Sequence, residues 1–95
     1  MNEKTDTKPG YHDFMLELIN LREADYEKFL DRLYDGLVGE YAESIVAEPA
    51  MGDTKGKIEA LNRMIKHFEK KEEYEKCAKL RDMAQVLEGK VAVEQ

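Results

Sequence analysis

Apolar residues recur along this chain at spacings of three and four, broken by short polar runs. From residue 13 the apolar positions are Phe14, Leu18, Leu21, Tyr26, Phe29, Leu30, Leu33, Tyr34 and Leu37. This is the signature of one helix with a buried face. Glu17, Glu23, Asp25, Glu27, Asp31 and Asp35 occupy the intervening positions. The pattern predicts a long helix over 13–35, capped by Asp13, whose carboxylate can accept a free backbone N–H at the positive end of the helix dipole. Gly36 then stands either as the residue that ends the helix or as a tolerated break. A shorter apolar face follows over 38–48, carried by Tyr41, Ala42, Ile45 and Val46. It reads equally as a separate helix or as the bent end of the first. Pro49 stops it, because the residue before a proline is pushed out of helical geometry.

The stretch 57–87 carries two stripes. Ile58, Leu61, Met64, Ile65 and Phe68 form the first, and Tyr74, Cys77, Ala78, Leu80, Arg81, Ala84 and Leu87 form the second in a new phase. The polar run Glu69–Glu73 separates them. Each stripe is too short and narrow to hold a helix in water alone. A turn near 71–73 would let one bury the other, with Cys77, Ala78 and Ala84 allowing close approach of the axes and Tyr74 and Leu80 supplying bulk.

Breakers divide the rest. Residues 1–10 offer no packing and end in the turn signal Pro9–Gly10, so a disordered tail is expected. Residues 49–56 read as a linker in which Asp53 or Thr54 can cap the next helix. Gly89 is expected to end the hairpin, leaving 90–95 as a frayed tail. The reading is therefore all-α, with three to four helices: an acidic helical segment over 11–48 and a hairpin over 57–89, with the long N-terminal helix packed on the hairpin's free apolar edge.

Tyr74-Glu75-x-Cys77-Ala78-x-Leu80-Arg81-Asp82 resembles the core of the UVR motif, the short helical hairpin of the excision-repair proteins UvrB and UvrC and of some protease adaptors. That pattern has an aromatic–Glu pair, two small residues, then Leu-Arg-Asp. Tyr74 stands where Phe is usual, and Cys77-Ala78 where Ala-Ala is usual. Leu61, Ile65 and Phe68 fill the preceding helix. The resemblance covers about a third of the chain. It implies a protein–protein contact module that pairs with a like motif or with itself, through Phe68, Tyr74, Cys77, Leu80 and Arg81. It implies no chemistry, and residues 1–56 resemble no nuclease, helicase or zinc segment.

Charge and composition narrow the function classes. Ninety-five residues make at most one domain with a modest core. The net charge of −6 is uneven: residues 1–52 hold twelve acidic and five basic side chains, residues 53–95 nine and ten. An acidic first half argues against duplex nucleic acid, whose phosphates call for clustered Lys and Arg, and suits a basic protein partner. Arg63, Lys66 and Lys70, with Lys57, do form a mildly basic strip. Its bland reading is a solvated helix face; its sharper one is a weak DNA or RNA contact, without interleaved aromatics to stack bases.

No site chemistry emerges. His12 and His67 lie far apart, and no His-x-x-x-His, Glu-x-x-His or Cys-x-x-Cys occurs, so no metal or cofactor is expected. Gly52-Asp53-Thr54-Lys55-Gly56 lacks phosphate-loop spacing. Cys77 reads as a small hydrophobe; a reactive thiol would call on Lys76 and Arg81 to lower its pKa. Arg81 is either solvated or set to meet a partner's acid. A single cysteine, no signal-peptide pattern and no membrane-length apolar run make cytoplasmic residence the expectation. The expected function is a non-enzymatic adaptor or regulator acting through the hairpin, with homodimerisation compatible. The alternative is an accessory protein of DNA or RNA transactions, repair-related, acting through the basic strip.

Overall fold

A reversal at one residue shapes the first half of the chain. Asp25 adopts an extended conformation, φ −157° and ψ 94°. Its N–H still donates to Leu21 O at 2.7 Å, while its carboxylate accepts from Lys28 N at 3.2 Å. Asp25 thus ends one helix and caps the next. The single helix expected over 13–35 is in fact two, α1 (Tyr11–Ala24) and α2 (Tyr26–Leu37). Periodicity alone missed the break because the apolar spacing continues through it, whereas an Asp with a free amide three residues on competes locally for the backbone. On a straight helix Phe14 and Gly36 would stand about 33 Å apart. Here the Phe14 ring lies against the Gly36 backbone, so close that a Cβ on Gly36 would overlap Phe14 Cζ. The two helices therefore fold back on each other.

The structure is a computed structural model that describes residues 9–49 and 52–94, with side chains as far as Lys90. Residues 1–8 of the expected tail, with Ala50, Met51 and Gln95, lie outside the described residues. Five helices and no strand occur among the described residues, so the fold is all-α. Besides α1 and α2 these are α3 (Ala42–Ala47), α4 (Thr54–Lys70) and α5 (Tyr74–Glu94). The chain divides between Glu48 and Pro49 into two compact units.

In the first unit α1 starts at Tyr11, two residues ahead of the expected cap, after Gly10 in left-handed geometry at φ 85°. Tyr41 Oη donates to Pro9 O at 3.1 Å, and a Cβ on Gly10 would sit 2.7 Å from that hydroxyl. Glycine is required there both for its φ and for the space. Tyr41 also faces Phe14, ring centroids 4.8 Å apart. Tyr11 Oη donates to Glu48 Oε1 at 2.8 Å, tying the start of α1 to the residue after α3. The segment over 38–48, left open by the sequence, holds the separate helix α3, whose Ile45 is buried. Gly36 lies inside α2, its missing side chain making room for Phe14 and Ile45.

The second unit is the hairpin α4–α5. Asp53 caps α4, its carboxylate accepting from Gly56 N at 2.8 Å. The reversal falls at residues 71–73, where the stripe changes phase. Glu72 N donates to Glu69 O at 3.0 Å and Glu73 N to Phe68 O at 2.9 Å. This pair of bonds is a Schellman turn, with Glu72 in its left-handed position at φ 60°. Leu61, Met64, Ile65 and Phe68 of α4 are buried, as are Cys77, Leu80, Ala84 and Leu87 of α5. The expected frayed tail from residue 90 is corrected, because α5 runs through Gly89 to Glu94. An isolated glycine weakens a helix by about 1 kcal/mol relative to alanine but ends it only where the chain turns left-handed, and Gly89 does not.

Candidate protein-docking site

The hairpin sorts the residues named from sequence into interior and surface. Phe68, Cys77 and Leu80 are fully buried, 0% exposed. They hold α4 against α5 and cannot meet a partner while the hairpin is closed, so their expected role as contacts is corrected to support. Ala78, expected on the same buried face, is exposed. The α5 stripe is narrower than its apolar letters suggest, because residues 77, 80, 84 and 87 already complete a face three to four residues apart. Tyr74 does not supply interior bulk either. It is the first residue of α5 and is 62% exposed.

Arg81 lies two helical turns beyond Tyr74 and is also exposed. Its Nη2 donates to Glu69 Oε2 at 2.6 Å, a bridge from α5 back to α4. Both side chains are about half in water, where such a pair is worth roughly 0–1 kcal/mol. An acidic group on a partner can therefore compete for Arg81 at small cost.

The turn beside Tyr74 is ordered by charge. Glu73 accepts from Lys76 Nζ at 2.8 Å and lies 3.4 Å from Lys71 Nζ. Lys76 first, and Lys71 after it, hold the Glu73 carboxyl below the usual carboxylate range. Both ammonium groups lie over the Phe68 ring, at 4.9 Å for Lys76 and 5.8 Å for Lys71. Lys76 is thus directed at Glu73 and Phe68. Cys77 Sγ instead points at Ile65 O, 3.5 Å away, and burial pushes its pKa up. That environment makes it an inert core thiol.

Arg63, Lys66 and Lys70 are all exposed on α4. Their spacing of three and four residues sets them along one side of the helix. Among the described residues no group of three or more His, Cys, Asp or Glu could hold a metal ion. No described helix is long and apolar enough to cross a membrane.

Five further exposed apolar residues, Leu16, Ile19, Tyr26, Val38 and Val86, were not singled out from the sequence as surface groups. Leu16 and Ile19 lie on the outer side of α1, and Tyr26 opens α2 with 45% of its surface exposed. Leu16 and Ile19 belong to no clean stripe, so periodicity passes over them. Tyr26 was hidden by the opposite problem, since it fits the period of a helix that breaks one residue earlier. The signal that could have found it is the triplet Tyr-Glu-Lys, which occurs at 26–28 and again at 74–76. Comparison of the chain with protein-family models, with curated proteins and with solved structures returns no match.

Proposed function

We propose that this chain is a non-enzymatic adaptor or regulator of the cytoplasm that binds another protein through the α4–α5 hairpin, with Tyr74 as the aromatic anchor and Arg81 as a polar contact beside it. The observation that carries this reading is the exposure of Tyr74 next to a closed interior. Met64, Phe68, Cys77 and Leu80 fill the hairpin to 0% exposure without it. A large aromatic ring left in water at a rigid helix start is an effective anchor, because few rotamers are lost when it docks. The resemblance of 74–82 to the UVR motif supports the same end of the hairpin as the contact.

The test is affinity capture from a lysate of the source cell, read by mass spectrometry, with Tyr74→Glu as the control. Leu80→Glu is unsuitable, because it would bury a charge in the core. A protein held by the wild type and lost with Tyr74→Glu, at unchanged circular dichroism, supports the reading. Equal capture by both chains sinks it. Recovery of the chain itself as the captured protein identifies the partner as a second copy.

A second reading draws on the exposure of Arg63, Lys66 and Lys70 along α4. A nucleic-acid contact there would weaken steeply with salt. Fluorescence anisotropy with a labelled oligonucleotide separates the two: salt-dependent binding lost on Lys66→Glu favours the strip, and no binding removes it.

A further inference from the structure

Helix α1 carries apolar residues on two sides. Tyr11, Phe14 and Leu18 are buried on the inner one. Leu16 and Ile19, 47% and 54% exposed, stand on the outer one. A helix apolar on both sides belongs between two layers, and a unit this small gains stability when a second molecule supplies one of them. The outer line ends in polar residues. His12, Leu16, Ile19 and Glu23 follow at steps of four, three and four, the spacing of a helix–helix seam, and all four are exposed. Their order reverses into its own complement. About the midpoint between Glu17 and Leu18, position 12 is level with 23, 13 with 22 and 16 with 19. The pairs are His12 with Glu23, Asp13 with Arg22, and Leu16 with Ile19. Glu17, the remaining charge of α1, is drawn away to Arg32 of α2 at 3.0 Å.

We propose that this outer line of α1 is a self-association surface, on which a second copy of the chain lies antiparallel across a two-fold axis. Leu16 of each copy then packs on Ile19 of the other, and His12 of each meets Glu23 of the other. An imidazole donates to a carboxylate whether it is neutral or protonated. Asp13 and Arg22 stand on the flanks of the line, each acid level with a base of the other copy. The charges also choose the direction. Parallel helices would set His12 beside His12, Asp13 beside Asp13 and Glu23 beside Glu23. The antiparallel pair instead holds the two Glu23 positions about 16 Å apart along the axis, beyond the screening length of about 8 Å. A surface that complements itself in this way closes as a dimer and leaves no second patch for growth. It lies in the first unit and does not rest on the reading of Tyr74.

Sedimentation equilibrium of the full chain across micromolar concentrations is expected to fit a monomer–dimer equilibrium. Leu16→Glu and Ile19→Glu should each leave the chain monomeric throughout, at unchanged circular dichroism. His12→Glu alone and Glu23→Lys alone should each weaken the dimer several-fold, the first by setting acid against acid and the second by removing the carboxylate that His12 meets. Together they should restore it, because the exchanged pair again carries opposite charges. Both positions are exposed, so neither change disturbs the core. Within one helix they lie about 16 Å apart, so the rescue has no source inside the monomer. Tyr74→Ala should leave the equilibrium as it is. A monomer at every concentration overturns the proposal, as does a dimer that survives both Leu16→Glu and Ile19→Glu. A dimer lost with Tyr74→Ala puts the contact on the hairpin and overturns it as well. Weakening by the single charge variants without rescue by the pair overturns the antiparallel arrangement.

Discussion

The amide of Glu73 donates to the carbonyl of Phe68 at 2.9 Å, closing the α4–α5 turn and fixing Glu72 in left-handed geometry at φ 60°. An L-residue pays about 1–2 kcal/mol to stand there, and glycine does not. Glycine loses more backbone freedom on folding, about 0.5–1 kcal/mol, which offsets part of the gain. Glu72→Gly is therefore expected to stabilise the chain by about 0.5–1 kcal/mol, seen as a higher urea midpoint at unchanged slope. A lower midpoint would show that the Glu72 side chain contributes more than its backbone costs.

Gly36 and Gly89 should respond in opposite directions to the same change. Both lie within helices, where alanine is favoured by about 1 kcal/mol. At Gly89 a new Cβ meets nothing within 4 Å, so Gly89→Ala should stabilise by up to that amount. At Gly36 the new Cβ would overlap Phe14 Cζ and lie 2.8 Å from Ile45 Cδ1. Phe14 is itself confined by the Tyr41 ring and by Arg32 Cζ, 5.0 Å from its centroid. Overpacking costs about 1–3 kcal/mol and outweighs propensity, so Gly36→Ala should destabilise. Thermal unfolding of the two variants reads both signs.

These positions show what the sequence could and could not disclose. The hairpin was legible because its two stripes are out of phase across five polar residues, which only a reversal reconciles. The break at Asp25 was not legible, because its apolar flanks stay in phase and only a local side-chain bond to Lys28 N turns the chain. The role of Gly36 depends on Phe14, 22 residues earlier, a contact that exists only once that break is made. At the candidate site, burial of Phe68 and Leu80 follows from periodicity, but the exposure of Tyr74 does not. Its apolar letter continues the stripe, while its place at the first turn of α5 sets it beyond the reach of α4's closed face.

Glu73 links the turn to pH. Its carboxyl is held below the usual range by Lys76 first and then Lys71, so the folded chain binds that proton less readily than the unfolded chain does. The contribution is present above the unfolded carboxylate value of about 4.3 and is lost as pH falls through the lowered folded value. Denaturation of wild type and Glu73→Gln should therefore differ most near neutrality, with the two curves converging in acid. A difference that persists unchanged below pH ~3 would assign the effect to something other than these ion pairs.

The contrast between Tyr74 and Leu80 tests the assignment of surface and support directly. Leu80 is fully buried between the helices, and truncating such a side chain leaves a cavity costing about 2–5 kcal/mol. Tyr74 is mostly in water, and surface substitutions of this kind stay within about 0.5 kcal/mol. Leu80→Ala should thus lower the urea midpoint sharply while Tyr74→Ala leaves it nearly unchanged. Cys77 gives an internal check in the same samples, because its buried thiol reacts with an aromatic disulfide reagent only when the hairpin opens. The rate should rise with Leu80→Ala and stay at the wild-type value with Tyr74→Ala. Equal acceleration by both would mean that Tyr74 closes the hairpin, and its exposed ring would then be a structural group and not an anchor.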